Sequence, residues 1–203
     1  MINTNPWLTV AEQAATTEVA PRARRPAPTG ASAPQPGVPV PGIADRLPRR
    51  DTLWPATLWW LGVHGGAGET TLARLATGTR TANHAWPIPT APGTTHRVAL
   101  VARNNYSGLI AAQRAATEWA SNSLGDSVQL VGLVLSTDAP GRRPKALRDL
   151  EQVIAGGVPR VWTLPWVEAW RIAETPPDTP LPKEFHQLFA ELSLTASSIP
   201  TRN

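Results

Sequence analysis

The clearest structural pattern in the chain is Leu58-Trp59-Trp60-Leu61-Gly62-Val63-His64-Gly65-Gly66-Ala67-Gly68-Glu69-Thr70-Thr71-Leu72. The apolar residues 56–63 predict a strand buried on both faces, as is typical of a central strand in a parallel sheet. The glycines of residues 65–68 predict a tight turn, and a helix is expected to begin at Thr70. Backbone N–H groups in such a turn, together with the amino end of a helix, bind anions such as phosphate.

The turn lacks the lysine that phosphate-binding loops place before a Ser or Thr, and Glu69 stands in its position. Two unit charges about 4 Å apart interact by roughly 4 kcal/mol at an effective dielectric near 20, so the replacement turns attraction into repulsion. Because about 1.4 kcal/mol corresponds to a factor of ten, a triphosphate bound in the usual way would lose on the order of a thousandfold in affinity. We therefore expect no ordinary ATP hydrolysis.

The segment His64-Gly65-Gly66-Ala67-Gly68-Glu69-Thr70-Thr71 resembles the deviant Walker A loop of the ParA/MinD family of ATPases, in which a signature Lys precedes Gly-Gly-x-Gly-Lys-Thr-Thr. Its glycines and its Thr-Thr pair match the family residue by residue. His64 stands in place of the signature lysine, and Glu69 in place of the phosphate-binding lysine. The alternative is a plain strand-to-helix turn, which we favour less because this pattern after an apolar strand is rare by chance.

The resemblance covers residues 56–174, and it is weaker beyond the loop. It places Ser136 and Asp138 where the family has groups that contact the nucleotide base, and Pro165 at the start of the loop beside the base. The acidic Walker B residue has no counterpart, because no Asp or Glu occurs in residues 79–96. The resemblance therefore implies no catalytic or metal-binding residue, and its candidates for cofactor binding are His64, Gly65, Gly66, Ala67, Gly68, Glu69, Thr70, Thr71, Ser136, Asp138 and Pro165.

Alternating strands and helices predict an α/β fold with a mostly parallel sheet flanked by helices, and the resemblance makes that sheet P-loop-NTPase-like. Residues 79–97 are expected to be irregular apart from 85–89. Strands are predicted at 56–63, 97–103, 128–135 and 160–164, and helices at 70–77, 106–123, 146–155 and 183–194.

Residues 1–52 are predicted to be a disordered Pro-, Ala- and Arg-rich tail, because prolines interrupt any helix or strand and apolar residues are sparse. The folded domain is predicted over residues 53–196, followed by a frayed tail at 197–203. Trp7 and Leu8 form an apolar island near the start of the chain. It is either a short motif that docks on a protein partner or a frayed turn that folds back on the domain.

The composition limits the classes of protein that fit. The 203 residues, 41% of them hydrophobic, suffice for one domain with a core. The absence of cysteine excludes disulfides and thiolate metal sites, and four scattered histidines argue against a zinc site. The start of the chain lacks the pattern of a signal peptide, and no apolar run approaches the roughly 18 residues of a membrane span. We expect a cytoplasmic protein without a membrane span.

The chain is basic, with a formal net charge of +4 and a pI near 10.6. All but two of its 19 basic residues are arginine, and they are dispersed, which fits a GC-rich genome better than a DNA-binding surface. DNA binding is therefore not favoured, although it stays open. Trp162, Trp166 and Trp170 are expected to pack in the core rather than to form a binding surface.

The pattern supports two functional hypotheses. The first, which we favour, is a non-hydrolysing ParA/MinD-like module that acts as a regulatory or assembly partner, with no cofactor and with a homodimer as one option. The second is a weak nucleotide-binding ATPase, with a role in DNA partition or transfer, that binds ATP with Mg²⁺ at low affinity. In the second, an arginine replaces the missing lysines, and the candidates are Arg74, Arg80, Arg97 and Arg103.

Glu69 is expected to fill or guard the glycine turn itself, because a carboxylate near a helix N-terminus gains roughly 0.3–1 kcal/mol from the helix dipole. On this hypothesis, nucleotide must displace a side chain of the protein. Glu69→Lys combined with His64→Lys should then lower stability slightly and restore nucleotide affinity.

Overall fold

The computed structural model describes residues 29–171 and 180–197, without the side chain of Arg171. The strands are β1 (Arg49–Thr52), β2 (Leu58–Gly62), β3 (Thr79–Thr81), β4 (Trp86–Pro89), β5 (His96–Arg103), β6 (Val128–Ser136) and β7 (Val161–Leu164), and the α-helices are α1 (Glu69–Leu75), α2 (Tyr106–Ala120), α3 (Lys145–Gly156) and α4 (Lys183–Leu192). Within these ranges, no helix is long and apolar enough to cross a membrane.

A five-stranded sheet in the order β3-β2-β5-β6-β7 forms the centre of the molecule, and every pair in it is parallel. The side chains of β5 alternate between the two faces, as the pleat requires. Leu100 and Ala102 pack towards α2 and α3 on one face, whereas Ala99 and Val101 pack towards α1 and α4 on the other. The predicted α/β fold with a parallel sheet flanked by helices is therefore confirmed.

Strand order reverses between β2 and β5. The chain passes from β2 through α1 to β3 on one side, and all later strands of the sheet are added on the other side, beginning with β5. In open α/β sheets, ligands bind at the carboxyl ends of the strands beside such a reversal. The glycine turn that follows β2 lies at this position.

Residues 29–52 pack against the domain, so the prediction of a disordered tail through residue 52 is wrong for this part. The backbone N–H of Thr29 donates to Pro159 O (2.9 Å) and that of Leu47 to the carboxylate of Glu118 (3.0 Å). Val38 and Leu47 contact the buried core on the α2 side of the sheet. The prolines rule out a long α-helix in this segment, but they do not prevent it from packing on the domain. Residues 1–28, which include the Trp7-Leu8 island, lie outside the described residues.

The segment 79–97 contains two short strands, of which only β4 coincides with a stretch singled out from the sequence. β3, with the sequence Thr-Arg-Thr, pairs with β2, and β4 pairs with β1 in a separate two-stranded parallel sheet. β3 carries no apolar pattern because it lies at the sheet edge, half exposed.

The C-terminal boundary also differs from the prediction, since Ser197 is bonded to the domain. Its N–H donates to Leu75 O (2.8 Å), and Ala196 forms an antiparallel bridge with Ala76. Residues 198–203 lie outside the described residues.

Candidate functional site

The glycine turn connects β2 to α1 over residues 63–68. Gly66 has φ 74° and Gly68 has φ 103°, backbone conformations that L side chains rarely adopt. Gly68 precedes the first residue of α1, which is Glu69 and not the predicted Thr70. Both glycines are therefore required by the turn, whatever it binds.

His64 is held inside the turn by two hydrogen bonds. The backbone N–H of Arg103, at the end of β5, donates to His64 Nε2 (2.9 Å). Because Nε2 is the acceptor, the ring proton lies on Nδ1, which donates to Gly65 O (2.9 Å). The imidazole thus joins the carboxyl ends of β2 and β5, and neither nitrogen is left to donate to a phosphate.

Arg103 is the one arginine among the four predicted candidates that lies beside the glycine turn. Its Nε donates to Gly66 O (2.9 Å). Arg97 lies at the opposite end of β5, where it donates to Thr57 O (3.3 Å) and Leu192 O (3.2 Å). Arg74 and Arg80 line a groove on another face of α1. Only Arg103 is placed to replace a missing lysine.

Glu69 is buried, with 5% of its surface exposed, and its carboxylate turns away from the glycine turn. Oε2 accepts a hydrogen bond from the backbone N–H of Gly62 (2.8 Å). Oε1 lies 3.7 Å from His84 Nε2, and His84 Nδ1 donates to Gly62 O (2.7 Å). β3 ends at Thr81, so the carboxylate and the imidazole together complete the hydrogen bonds that a longer β3 would have made to Gly62.

The hypothesis that Glu69 fills or guards the glycine turn is therefore wrong. The N–H group that Glu69 satisfies belongs to the strand that precedes the turn, and its charge does not face the turn.

A cavity of about 180 Å³ opens beside the turn, at the carboxyl ends of β5, β6 and β7. Its polar groups come from Arg103, Ser136, Thr137 and Thr71, and its apolar wall comes from residues 164–170 and α4. The full lining is Ala67, Gly68, Thr71, Leu72, Arg103, Ser136, Thr137, Leu164, Pro165, Trp166, Val167, Trp170 and Phe185.

The cavity unites only some of the residues predicted from the resemblance: Ala67, Gly68, Thr71, Ser136 and Pro165 line it. Asp138 is exposed and lies outside the lining, where Thr137 stands instead. Thr70 faces the groove on the other face of α1. Gly65 and Gly66 are exposed at the turn.

Trp166, Trp170 and Phe185 form much of the apolar wall and were not predicted as site residues. Trp166 and Trp170 are partly buried, and the Trp170 ring packs edge-on against Phe185 with centroids 5.2 Å apart. Their four-residue spacing was visible in the sequence, but core packing was the favoured explanation, whereas in the structure both side chains line the cavity. Trp162, in contrast, is buried in β7 and donates to Glu191 (2.7 Å), in keeping with the expected core role.

The size of the cavity and the residues that line it fit a complete ATP–Mg²⁺ site poorly. The cavity of about 180 Å³ is smaller than the roughly 300 Å³ at which ordinary ligand pockets begin. Among the described residues, Arg103 is the one cation that lines it, and none of the lining residues is a carboxylate. Within residues 29–171 and 180–197, no group of three or more His, Asp or Glu side chains is placed to hold a metal ion.

The chain belongs to a family of unknown function (DUF6668), whose pattern matches residues 56–185. The match runs from just before β2 to the first turn of α4, so it includes the glycine turn and the whole cavity lining. No curated protein and no solved structure matches the chain.

Proposed function

We propose that this member of the family is a cytoplasmic, non-hydrolysing ParA/MinD-like P-loop protein that acts as a regulatory or assembly partner. The proposal is supported above all by the hydrogen bonds of His64 and Glu69. These two residues stand where the resemblance expects lysines. His64 bonds to the backbone of Arg103 and Gly65, and Glu69 to that of Gly62. His64 therefore stabilises the turn and Glu69 the end of the strand before it, and neither contributes positive charge to a phosphate.

Loss of hydrolysis follows from the same arrangement. Phosphoryl transfer is catalysed mainly by cations that neutralise the developing charge and by a group that orients water. The turn offers the guanidinium of Arg103 alone, with its Nε already bonded to Gly66 O. In the part of the chain that the structure describes, no carboxylate lines the cavity to position water or Mg²⁺. Without hydrolysis, the rigid turn would suit a protein that acts by binding a partner.

The second candidate, a weak nucleotide-binding ATPase, is favoured by the position of Arg103. Its guanidinium lines the cavity together with Ser136 and the aromatic residue Trp166. Glu69 does not oppose an anion there, because its carboxylate is buried on Gly62. In the cavity, a small planar group with negative charge would contact both the apolar wall and the guanidinium of Arg103.

Calorimetric titration with ATP, GTP or ADP in the presence of Mg²⁺ separates the two candidates. The proposal predicts no saturable heat at Kd values tighter than roughly 1 mM. Saturable binding by the wild type and by Arg142→Ala, but not by Arg103→Ala, would contradict it and favour the second candidate. Arg142 is exposed and does not line the cavity, so it is the matched control.

A further inference from the structure

A groove of about 560 Å³ lies on the face of α1 that is turned away from the cavity. It is bounded by β1 with the two residues that follow it, by the edge strand β3 and by the outer face of α1. Its lining includes Arg50, Leu53, Trp54, Arg74, Arg80 and Thr81. Neither the glycine turn nor the cavity shares these residues.

The rim of the groove exposes two large apolar side chains in succession. Leu53 is 77% exposed and Trp54 is 66% exposed. A single exposed apolar residue needs no explanation, but adjacent ones beside a concave surface are typical of protein interaction sites. Tryptophan is also among the residues that contribute most to binding at such sites.

The backbone of β3 presents an open strand edge to the same groove. β3 pairs with β2 alone, and the N–H of Ala82 donates to Trp60 O (2.8 Å). Because successive residues of a strand direct their backbone groups to opposite sides, the N–H and C=O of Thr81 point away from β2. Thr81 lines the groove, so the outer edge of β3 borders it. An extended peptide can pair with such an edge.

The charges of the groove are mainly positive. Arg50, Arg74 and Arg80 line it, and Asp51 is the one carboxylate among its described lining residues. Glu69, the acidic residue of α1, is buried elsewhere. A cluster of arginines attracts acidic ligands and disfavours basic ones.

We propose that this groove binds an acidic, extended peptide segment of a partner protein. The segment pairs with the outer edge of β3, places an apolar side chain against Leu53 and Trp54, and directs its carboxylates to the arginines. A strand edge beside the arginines favours a peptide over single-stranded nucleic acid, which would use the cations and the tryptophan but not the backbone of β3. This proposal does not depend on the glycine turn. It can therefore be wrong while the proposed function is right, and the reverse.

The test uses the full chain and a fluorescein-labelled peptide in which glutamate alternates with valine. Fluorescence anisotropy should show saturable binding that weakens as salt is added. Trp54→Ala and Arg80→Glu should each lower the affinity about tenfold or more, because both side chains contact the peptide. Thr81→Pro should lower it as well, since it removes an N–H that points away from β2, and proline is tolerated at a sheet edge.

Two control variants and two control probes complete the design. Val153→Ala, a 68% exposed position on α3, and Arg142→Glu should leave peptide affinity unchanged. A peptide with lysine in place of glutamate should not bind. The proposal is overturned if the acidic peptide does not bind, if the lysine peptide binds equally well, or if oligo(dT) binds more tightly than the acidic peptide. Equal melting temperatures of the variants show that the fold is intact.

Discussion

Glu69 shows how far the role of one residue depends on its surroundings. In the sequence, it occupies the place of a phosphate-binding lysine and suggests a disabled anion site. In the fold, it is a buried acceptor for the Gly62 N–H, at a point where β3 has already ended. A Cβ on Gly62 would lie 3.1 Å from both Glu69 Cδ and His84 Cε1, so the glycine is matched to this pair of side chains.

Replacing Glu69 by lysine should destabilise the protein strongly, not slightly as the sequence alone suggested. The Gly62 N–H would lose its acceptor and an ammonium group would be buried, which costs at least about 2 kcal/mol. The expected fall in melting temperature is about 4 °C or more. Glu69→Gln should cost less, because its amide oxygen still accepts from Gly62. Equal stability of the two variants in urea denaturation would show that the hydrogen bond is not formed.

His96 gives the fold a dependence on pH. Burial lowers the pKa of its imidazole below the ordinary value of 6.5. The side chain contacts Thr52, whose hydroxyl donates to Ile88 O, so the neutral Nε2–H form donates to that hydroxyl (2.7 Å). The unfolded chain therefore takes up a proton at a higher pH than the folded one. The stability that His96 contributes is fully present above pH 6.5 and is lost as the pH falls below it.

Thermal denaturation of the wild type and of His96→Gln measures this effect. The wild type should lose stability more steeply than the variant as the pH falls from about 7.5 towards 5.5, since glutamine does not titrate. The quantity compared is the slope of melting temperature against pH. The variant also loses the packing of His96 on the Trp59 ring, but this loss lowers the melting temperature equally at both ends of the pH range. Parallel curves would exclude the proposed role of His96.

Among the elements, the segment 29–52 is the one whose contribution differs most from the sequence prediction. It adds β1 and packs Leu47 against the core. Its Leu47 N–H also donates to the carboxylate of Glu118, which accepts a second hydrogen bond from Trp86 Nε1 (2.8 Å). Glu118 is fully buried. A chain that begins at Leu53 should therefore melt at least several degrees below one that begins at Thr29, because each lost kcal/mol lowers the melting temperature by about 2–4 °C in a domain of this size. Coincident melting curves would show that the segment contributes nothing to stability.

The elements that sequence analysis predicted are those with a long apolar pattern. β2, β5 and β6 contain apolar runs that are largely buried on both faces, and their positions matched closely. β1 and β3 were missed because the segments Arg49–Thr52 and Thr79–Thr81 carry polar residues whose pairing is decided by distant parts of the chain.

The site was predicted only in part, for a related physical reason. Gly68, Ser136 and Pro165, which the resemblance singled out, line the cavity. The orientation of Glu69 depends on where β3 stops, and the role of Phe185 depends on how α4 packs; neither is encoded in local spacing.

At the scale of the whole molecule, the two faces of α1 offer separate surfaces. The cavity with Arg103 lies on one, and the groove with Trp54 and Arg80 lies on the other. If the proposed loss of hydrolysis holds, both can serve as binding surfaces, because neither needs the residues of a hydrolytic site. This division agrees with the proposed role as a regulatory or assembly partner.

The central claim is that the glycine turn does not support hydrolysis. Phosphate release from ATP and GTP with Mg²⁺ by the purified full chain tests it most directly, with Thr70→Ala and Arg103→Ala as controls. We expect the wild type to release phosphate no faster than either variant or than buffer alone. Magnesium-dependent turnover by the wild type that is abolished in Thr70→Ala would contradict it.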